Sequence, residues 1–176
     1  MEMEAGVDDG VTPLEETRRL FGAVELAHPG HLALWAPGVG TRHGLDDDAT
    51  SAFNLEAVAA HGKLASEIAG RPIGIALHGS SGLPNSQLRA AVEAGVAKVN
   101  WSSESLLIRS TAARDFYASH TSELEKRHPR WKVTVMDSGL QASISETYVP
   151  RVAECMRTLG GTGQGRAFLA ATAALA

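Results

Sequence analysis

Two histidines that follow apolar runs are each succeeded by glycine: His43-Gly44 in the stretch GVGTRHG, and His78-Gly79 in ALHGSSGLP. Neutral imidazole is the commonest protein metal ligand near neutral pH, so two such residues in like positions point to a divalent ion. They stand thirty-five positions apart, the length of one strand and helix, which would bring them to the carboxyl ends of neighbouring parallel strands. Immediately after His78 comes Gly79-Ser80-Ser81-Gly82, and Ser102-Ser103 follows the next apolar run. Glycines allow close backbone approach, and amides at the start of a helix attract negative charge. The pair of features reads as metal ligands beside a phosphate cradle.

Elements able to position these residues recur in a strand-helix order. Met1 to Ala5 reads as extended, and Thr12-Pro13-Leu14-Glu15 reads as a capping box opening a helix whose face carries Leu20, Phe21 and Val24. Leu32 to Ala36 has the length of a buried parallel strand. A helix is expected from Asn54 through Ile68, stopped by Gly70 and Pro72, followed by a strand over Ile73 to Leu77. Another helix spans Leu88 to Val92 and ends at Gly95, before a strand from Val96 to Trp101 and a helix with Leu106, Leu107 and Ile108. The pattern predicts an α/β fold with a parallel sheet, in which ligands sit at the strands' carboxyl ends. Residues 1–120 are expected to hold the four units. Residues 121–176 read as an appendage: a charged turn at Glu123 to Arg130, one helix around Val149 to Leu159, the glycine-rich GGTGQG and an alanine-rich tail.

Composition narrows the function classes. A chain of 176 residues with 44% hydrophobic and 20% charged residues can bury a core of about one domain. The formal net charge of −4, with no basic stripe interleaved with aromatics, argues against a nucleic-acid partner. No apolar run is long enough to span a membrane, and the start MEMEAGVDDG is acidic where a signal peptide would be basic. Cys155 is the single cysteine, which fits a reducing, cytoplasmic setting. His61 is placed within a helix and reads as structural, as does Lys98 within a strand, although a desolvated lysine is also the nucleophile of Schiff-base chemistry.

Taken together, LHGSSG and the later AKVNWSSE resemble the LHGGSG and KINxxTE region of class II, zinc-dependent fructose-bisphosphate and tagatose-bisphosphate aldolases. GTRHG, the opening EMEAGVDDGV, HPRW and LGGTGQG resemble further segments of that family, in the same order, over about Met1 to Gly163. The resemblance implies a (β/α) TIM-barrel fold of which this chain supplies the fifth to eighth strands, a half barrel with a helical C-terminal appendage. It implies Zn²⁺ held by His43, His78 and the nearby Glu4, with Asp8 or Asp9 in an acidic loop serving proton transfer. Gly44, Gly79, Ser81, Ser102 and Ser103 would hold a substrate phosphate, Asn100 would meet the substrate, and Arg130 would reach a neighbouring subunit's site. The activity implied is reversible cleavage of a ketose bisphosphate, fructose or tagatose 1,6-bisphosphate, to dihydroxyacetone phosphate and glyceraldehyde 3-phosphate.

The same comparison marks departures. A whole barrel takes ~250 residues, and by resemblance one zinc histidine and the proton-transferring aspartate belong to the half that is absent here. GLDDDAT stands where the family carries a phosphate-binding lysine, and Ser102 where it carries aspartate. A half barrel leaves two sheet edges open, so a homodimer or a separate N-terminal half is the expected partner. The competing readings are a non-catalytic remnant that binds phosphate or another barrel half, and a metal-free sugar-phosphate isomerase.

Overall fold

Four short strands lie side by side in chain order: β1 (Glu2–Ala5), β2 (Leu34–Pro37), β3 (Gly74–Leu77) and β4 (Val96–Val99), every neighbouring pair parallel. Parallel neighbours need a crossover, and successive right-handed crossovers without reversal put all connecting helices on one face. This singly wound order is that of a (β/α) barrel, here a partial one, and not of a doubly wound sheet. A computed structural model describes residues 1–6, 8, 10–45 and 52–173. They group into two compact units, Met1–Glu104 and Ser105–Ala176.

Between β1 and β2 runs a continuous helical segment, α1 (Leu14–Glu16), a five-residue π turn (Thr17–Phe21) and α2 (Gly22–Ala27). Thr17, Phe21 and Glu25 are its buried positions. Phe21 meets Trp35 of β2 edge to face with ring centroids 5.8 Å apart, a geometry worth about 1 kcal/mol beyond the buried area. The expected capping box does not form. Pro13 occupies the cap position without a side-chain bond, because the Thr12 hydroxyl is taken by the sheet: it donates to the Ala5 carbonyl at 3.1 Å and accepts from the Gly38 amide at 2.8 Å. Two strand ends competing for one buried hydroxyl outweigh a local cap.

Helix α3 (Leu55–Ala69) joins β2 to β3, with the Asn54 side chain accepting from the Ala57 amide at 3.0 Å and Gly70 closing it in the left-handed region. His61 is buried on its inner face. Its Nε2–H donates to the Thr12 carbonyl at 2.9 Å, and Nδ1 accepts from the Thr17 hydroxyl at 2.7 Å, which in turn accepts from the Trp35 indole at 3.1 Å. The structural reading of His61 therefore has its cause: the ring ties the first two helical segments to the sheet. Burial pushes its pKa down against the raising effect of the Thr12 bond, so it stays neutral. Glu25 is likewise buried, held by both its oxygens on Arg71 Nη2 at 2.9 Å and by the Gly30 amide at 2.8 Å. Helix α4 (Asn85–Glu93) then leads to β4 and buries Leu88 and Ala91.

Side chains alternate across a strand. Trp35 and Ile75 face the helices, so the register Glu2↔Leu34, Glu4↔Ala36 and Ala76↔Lys98 sets Glu2, Glu4 and Lys98 on the opposite, inner face. His78 and Asn100 continue that parity just past their strands.

The second unit is helical. Helix α5 (Ser103–Ser119) begins at the junction, and the division falls at 104/105, where the sequence had placed it at 120/121: Phe116 of α5 packs over Gly139, and Ser105 bonds the Tyr148 hydroxyl at 3.2 Å. After a 3₁₀ turn (Thr121–Leu124) come α6 (Trp131–Val135), α7 (Asp137–Thr158) and α8 (Gly165–Ala173). The single helix expected near Val149 to Leu159 is thus the end of a longer one. Pro150 lies inside α7, and the stretch Ser143 to Thr147, apolar only at Ile144, hides its earlier turns from a pattern of apolar spacing. The alanine-rich tail is helical as well, over α8, as its composition favours.

Candidate metal centre

The carboxyl ends of β1, β2 and β3 bring Glu4, His43 and His78 together, each offering one ligand atom within 4.8 Å of the other two. The two imidazoles meet edge to face with centroids 5.7 Å apart. The loop that carries His43 is fastened to the next strand by the Thr41 hydroxyl, which donates to the His78 carbonyl at 2.8 Å. Strand alternation sets Glu4 on the face that His78 shares.

Each histidine has one ring nitrogen on a carboxylate. His43 Nδ1 lies 3.0 Å from both oxygens of Asp8, whose Oδ1 also accepts from the His43 amide at 2.9 Å. A carboxylate only accepts, so Nδ1 bears a hydrogen, and the lone pair of the neutral ring is then on Nε2. The bonds from the His43 ring and amide hold the Asp8 pKa below the usual range. His78 Nε2 lies 2.9 Å from Glu2 Oε1, while its Nδ1 faces Glu4 Oε2 at 3.6 Å. A metal-ligating histidine ordinarily gives its other N–H to a carboxylate, which fixes ring and tautomer. Two imidazoles so oriented, with a carboxylate beside them, are the hard and borderline donors that suit Zn²⁺. Ligands about 2.1 Å from a tetrahedral ion sit roughly 3.4 Å apart, so modest side-chain rotation closes the set. The residues present fit a divalent ion.

Glu2 also accepts from Lys98 Nζ at 2.6 Å through Oε2. Burial raises its pKa, but the bonds to Lys98 and His78 outweigh this and leave it lowered. The contact bears on shape too. Lys98 is on β4 and Glu2 on β1, three strand spacings or about 14 Å apart in a flat sheet; a 2.6 Å contact across that interval makes this face concave, as in a barrel wall.

The small-residue loop is built against neighbouring backbone. Gly79 is buried at φ +61°, and a Cβ there would lie 2.5 Å from the Arg42 carbonyl. The Ser80 hydroxyl donates to the Asn100 carbonyl at 2.7 Å, and Ser81 Oγ accepts from the Glu104 amide at 3.1 Å, satisfying one of the free donors at the start of α5. Asn100 Nδ2 reaches His78 Nε2 at 2.9 Å, which draws Asn100 into the same cluster. Ser102 is exposed and Ser103 half-buried at the start of α5. Gly44, at φ +120°, has open space where a side chain would be. Arg130 belongs to the second unit, where its Nε donates to Glu123 Oε1 at 2.9 Å. Asp9 and the Asp46 to Asp48 run lie outside the described residues.

Glu2 is the residue at this site that reading the sequence for motifs overlooked, and Lys98, read there as structural, reaches its carboxylate. The signal was the two-residue period: Glu2 alternates with Glu4, and Lys98 with Asn100, so whichever face holds one holds the other.

The family model for class II fructose-bisphosphate aldolase matches residues 2–164. Among curated proteins, fructose-bisphosphate aldolase of Streptococcus pneumoniae is 31% identical over 147 residues, 80% of this chain and 48% of that protein. The enzyme of that name from Streptococcus pyogenes is 33% identical over 111 residues, 63% of this chain and 36% of that protein. The chain spans about half the length or less of these curated relatives. Among solved structures, fructose-bisphosphate aldolase from Campylobacter jejuni has the same fold, with a TM-score of 0.65 at 17% identity over 87% of this chain and 46% of the other. An aldolase from Escherichia coli K12 gives a TM-score of 0.53 at 18% identity, over 93% and 61%.

Proposed function

The chain belongs to the class II fructose-bisphosphate aldolase family, and from that premise we propose that its site serves zinc-dependent aldol cleavage of a ketose bisphosphate, fructose or tagatose 1,6-bisphosphate. The observation that carries this reading is the convergence of His43, His78 and Glu4, with Asp8 and Glu2 on the other ring nitrogens. In the proposed site His43 Nε2, His78 Nδ1 and the Glu4 carboxylate hold the ion. A Zn²⁺ bound there supplies Lewis acidity toward the ketose carbonyl. Asp8 orients His43, and the acidic loop of Asp8 and Asp9 is assigned the proton transfers at carbon. The amides of Gly79 to Gly82, with Ser81 and Ser103, are assigned to a substrate phosphate, joined by Gly44 and Ser102. Asn100 is assigned to the sugar's oxygens, and Arg130 to a neighbouring copy's substrate.

The two sheet edges, β1 and β4 among the described residues, fit a partner that completes the barrel, a second copy or a separate N-terminal half. A second reading, phosphate binding without turnover, rests on the Gly79 to Gly82 loop alone, whose two glycines take positive φ just ahead of α4.

Elemental analysis of the purified chain beside a His43→Ala/His78→Ala double variant tests the centre, with an aldol cleavage assay run on the same samples. About one zinc per chain that vanishes in the double variant, with metal-dependent cleavage, is the expected result. Zinc without cleavage selects the second reading, and no zinc in either sample overturns the metal centre.

A further inference from the structure

Lys98 takes no part in the functional reading so far, yet it makes the shortest contact at the edge of the metal centre, Nζ to Glu2 Oε2 at 2.6 Å. Two groups compete for His78 Nε2. Glu2 Oε1 lies 2.9 Å away and can only accept, which requires the proton on Nε2. The Asn100 amide also lies 2.9 Å away, and its NH₂ can only donate, which requires a bare Nε2 and the proton on Nδ1. The two demands are exclusive, and they decide whether the Nδ1 lone pair faces Glu4 and His43 or is blocked by a hydrogen. If the N–H is on Nε2, the amide must turn its oxygen inward, an arrangement equally consistent with the atom positions.

Resting on the metal reading above, we infer that Lys98 is a positioning residue: it holds the Glu2 carboxylate against His78 Nε2, so that Glu2 and not Asn100 sets the tautomer and the Nδ1 lone pair is left for the ion. The geometry gives the lysine this leverage. Glu2 is at the first position of an edge strand, with a flexible side chain and two oxygens. One oxygen is clamped by the ammonium from β4, and this points the other at the imidazole on β3. The same clamp holds the lysine nitrogen on a carboxylate, which gives it a role other than that of a free amine nucleophile. Removing the ammonium releases the carboxylate to turn away and leaves Asn100 as the nearer competitor.

The test is the ring ¹⁵N spectrum of His78 in the metal-free full chain at about pH 8, where imidazole is neutral, for the parent, Lys98→Met and Lys98→Arg, followed by zinc titration of each. The expected result is a protonated Nε2 in the parent and in Lys98→Arg, and a shift toward protonated Nδ1 in Lys98→Met. Zinc affinity should fall about tenfold or more in Lys98→Met, the usual cost of losing a partner behind a ligand, and return in Lys98→Arg. His43, held separately by Asp8, should keep its tautomer in all three and serves as the internal control for folding. Should Lys98→Met not fold, Glu2→Gln removes the clamped carboxylate with little change of shape and is expected to shift His78 in the same way. An unchanged His78 tautomer in folded Lys98→Met or Glu2→Gln overturns the inference while leaving the metal centre standing. A tautomer that follows Lys98 in a parent chain that binds no zinc supports the inference and overturns the metal reading instead.

Discussion

His61 shows how one buried side chain links sequence, packing and pH. Its ring sits between the Thr12 carbonyl and the Thr17 hydroxyl, with both nitrogens matched in the neutral Nε2–H form. Its folded pKa is lowered by burial, so below the unfolded value of about 6.5 the unfolded chain binds a proton that the folded chain refuses. The stability it gives is therefore complete above about pH 6.5 and declines as the pH falls below that value. Urea unfolding at pH 8, 6 and 5 should show this decline. His61→Gln should be less stable by about 2 kcal/mol at pH 8, since at least one buried polar partner is left unmatched, and should lose stability less steeply toward pH 5. A slope as steep as the parent's would remove His61 as its source. At the candidate metal centre, Asp8 faces His43 Nδ1 and Glu2 faces His78 Nε2, a pairing of carboxylates with imidazoles that no single motif displays.

At the scale of elements, the strand ends and loops decide whether such residues meet. The turn after β3 brings Gly79 against the backbone of Arg42 at φ +61°, whereas Gly70, at the end of α3 with φ +65°, faces open space. Gly70→Ala should therefore cost only the conformational penalty of about 1 kcal/mol, and Gly79→Ala should cost clearly more, because a Cβ 2.5 Å from a carbonyl oxygen forces the His43 and His78 loops apart. Thermal melts of the two variants make the comparison directly, and equal losses would contradict the close approach. Most of the first unit's elements were legible from apolar spacing and from stop signals: α3 runs from just after Asn54 to the Gly70 terminator, β3 forms within the expected Ile73 to Leu77, and β2 starts two residues later than the expected Leu32. The capping box at Thr12 was legible and misleading, since its hydroxyl found partners on two strands distant in sequence. Helix α7 was only half legible because Pro150 and a stretch apolar only at Ile144 interrupt its pattern without ending the helix.

For the whole molecule, the open arrangement of the sheet carries a consequence for assembly. Among the described residues β1 and β4 are the edges of a four-stranded sheet, and unpaired strand edges are templates for association. Val133, Met136, Val149 and Met156 are more than half exposed on the helical unit, apolar surface of the kind that marks contact sites. Sedimentation of the purified chain at micromolar concentration should accordingly reveal a species heavier than one chain. A single monomer-sized species that remains so as concentration rises would exclude self-association of this chain through these surfaces. Among the described residues no helix is long and apolar enough to cross a membrane.

The sequence by itself determined the α/β class, the alternation of strands and helices in the first unit, and the paired His-Gly motifs with their resemblance to class II aldolases. These depend on local propensity and on a repeat of one strand and one helix, both of which are read along the chain. Only the tertiary structure decided that Glu2 and Lys98 reach one another across a concave sheet, that Asp8 takes His43 and Glu2 takes His78, and that Thr12 serves the strands in place of its own helix. Those outcomes are set by curvature and by competition among groups up to ninety-six positions apart, where hydrogen-bonding capacity is a property of the folded neighbourhood and not of the residue's place in the chain.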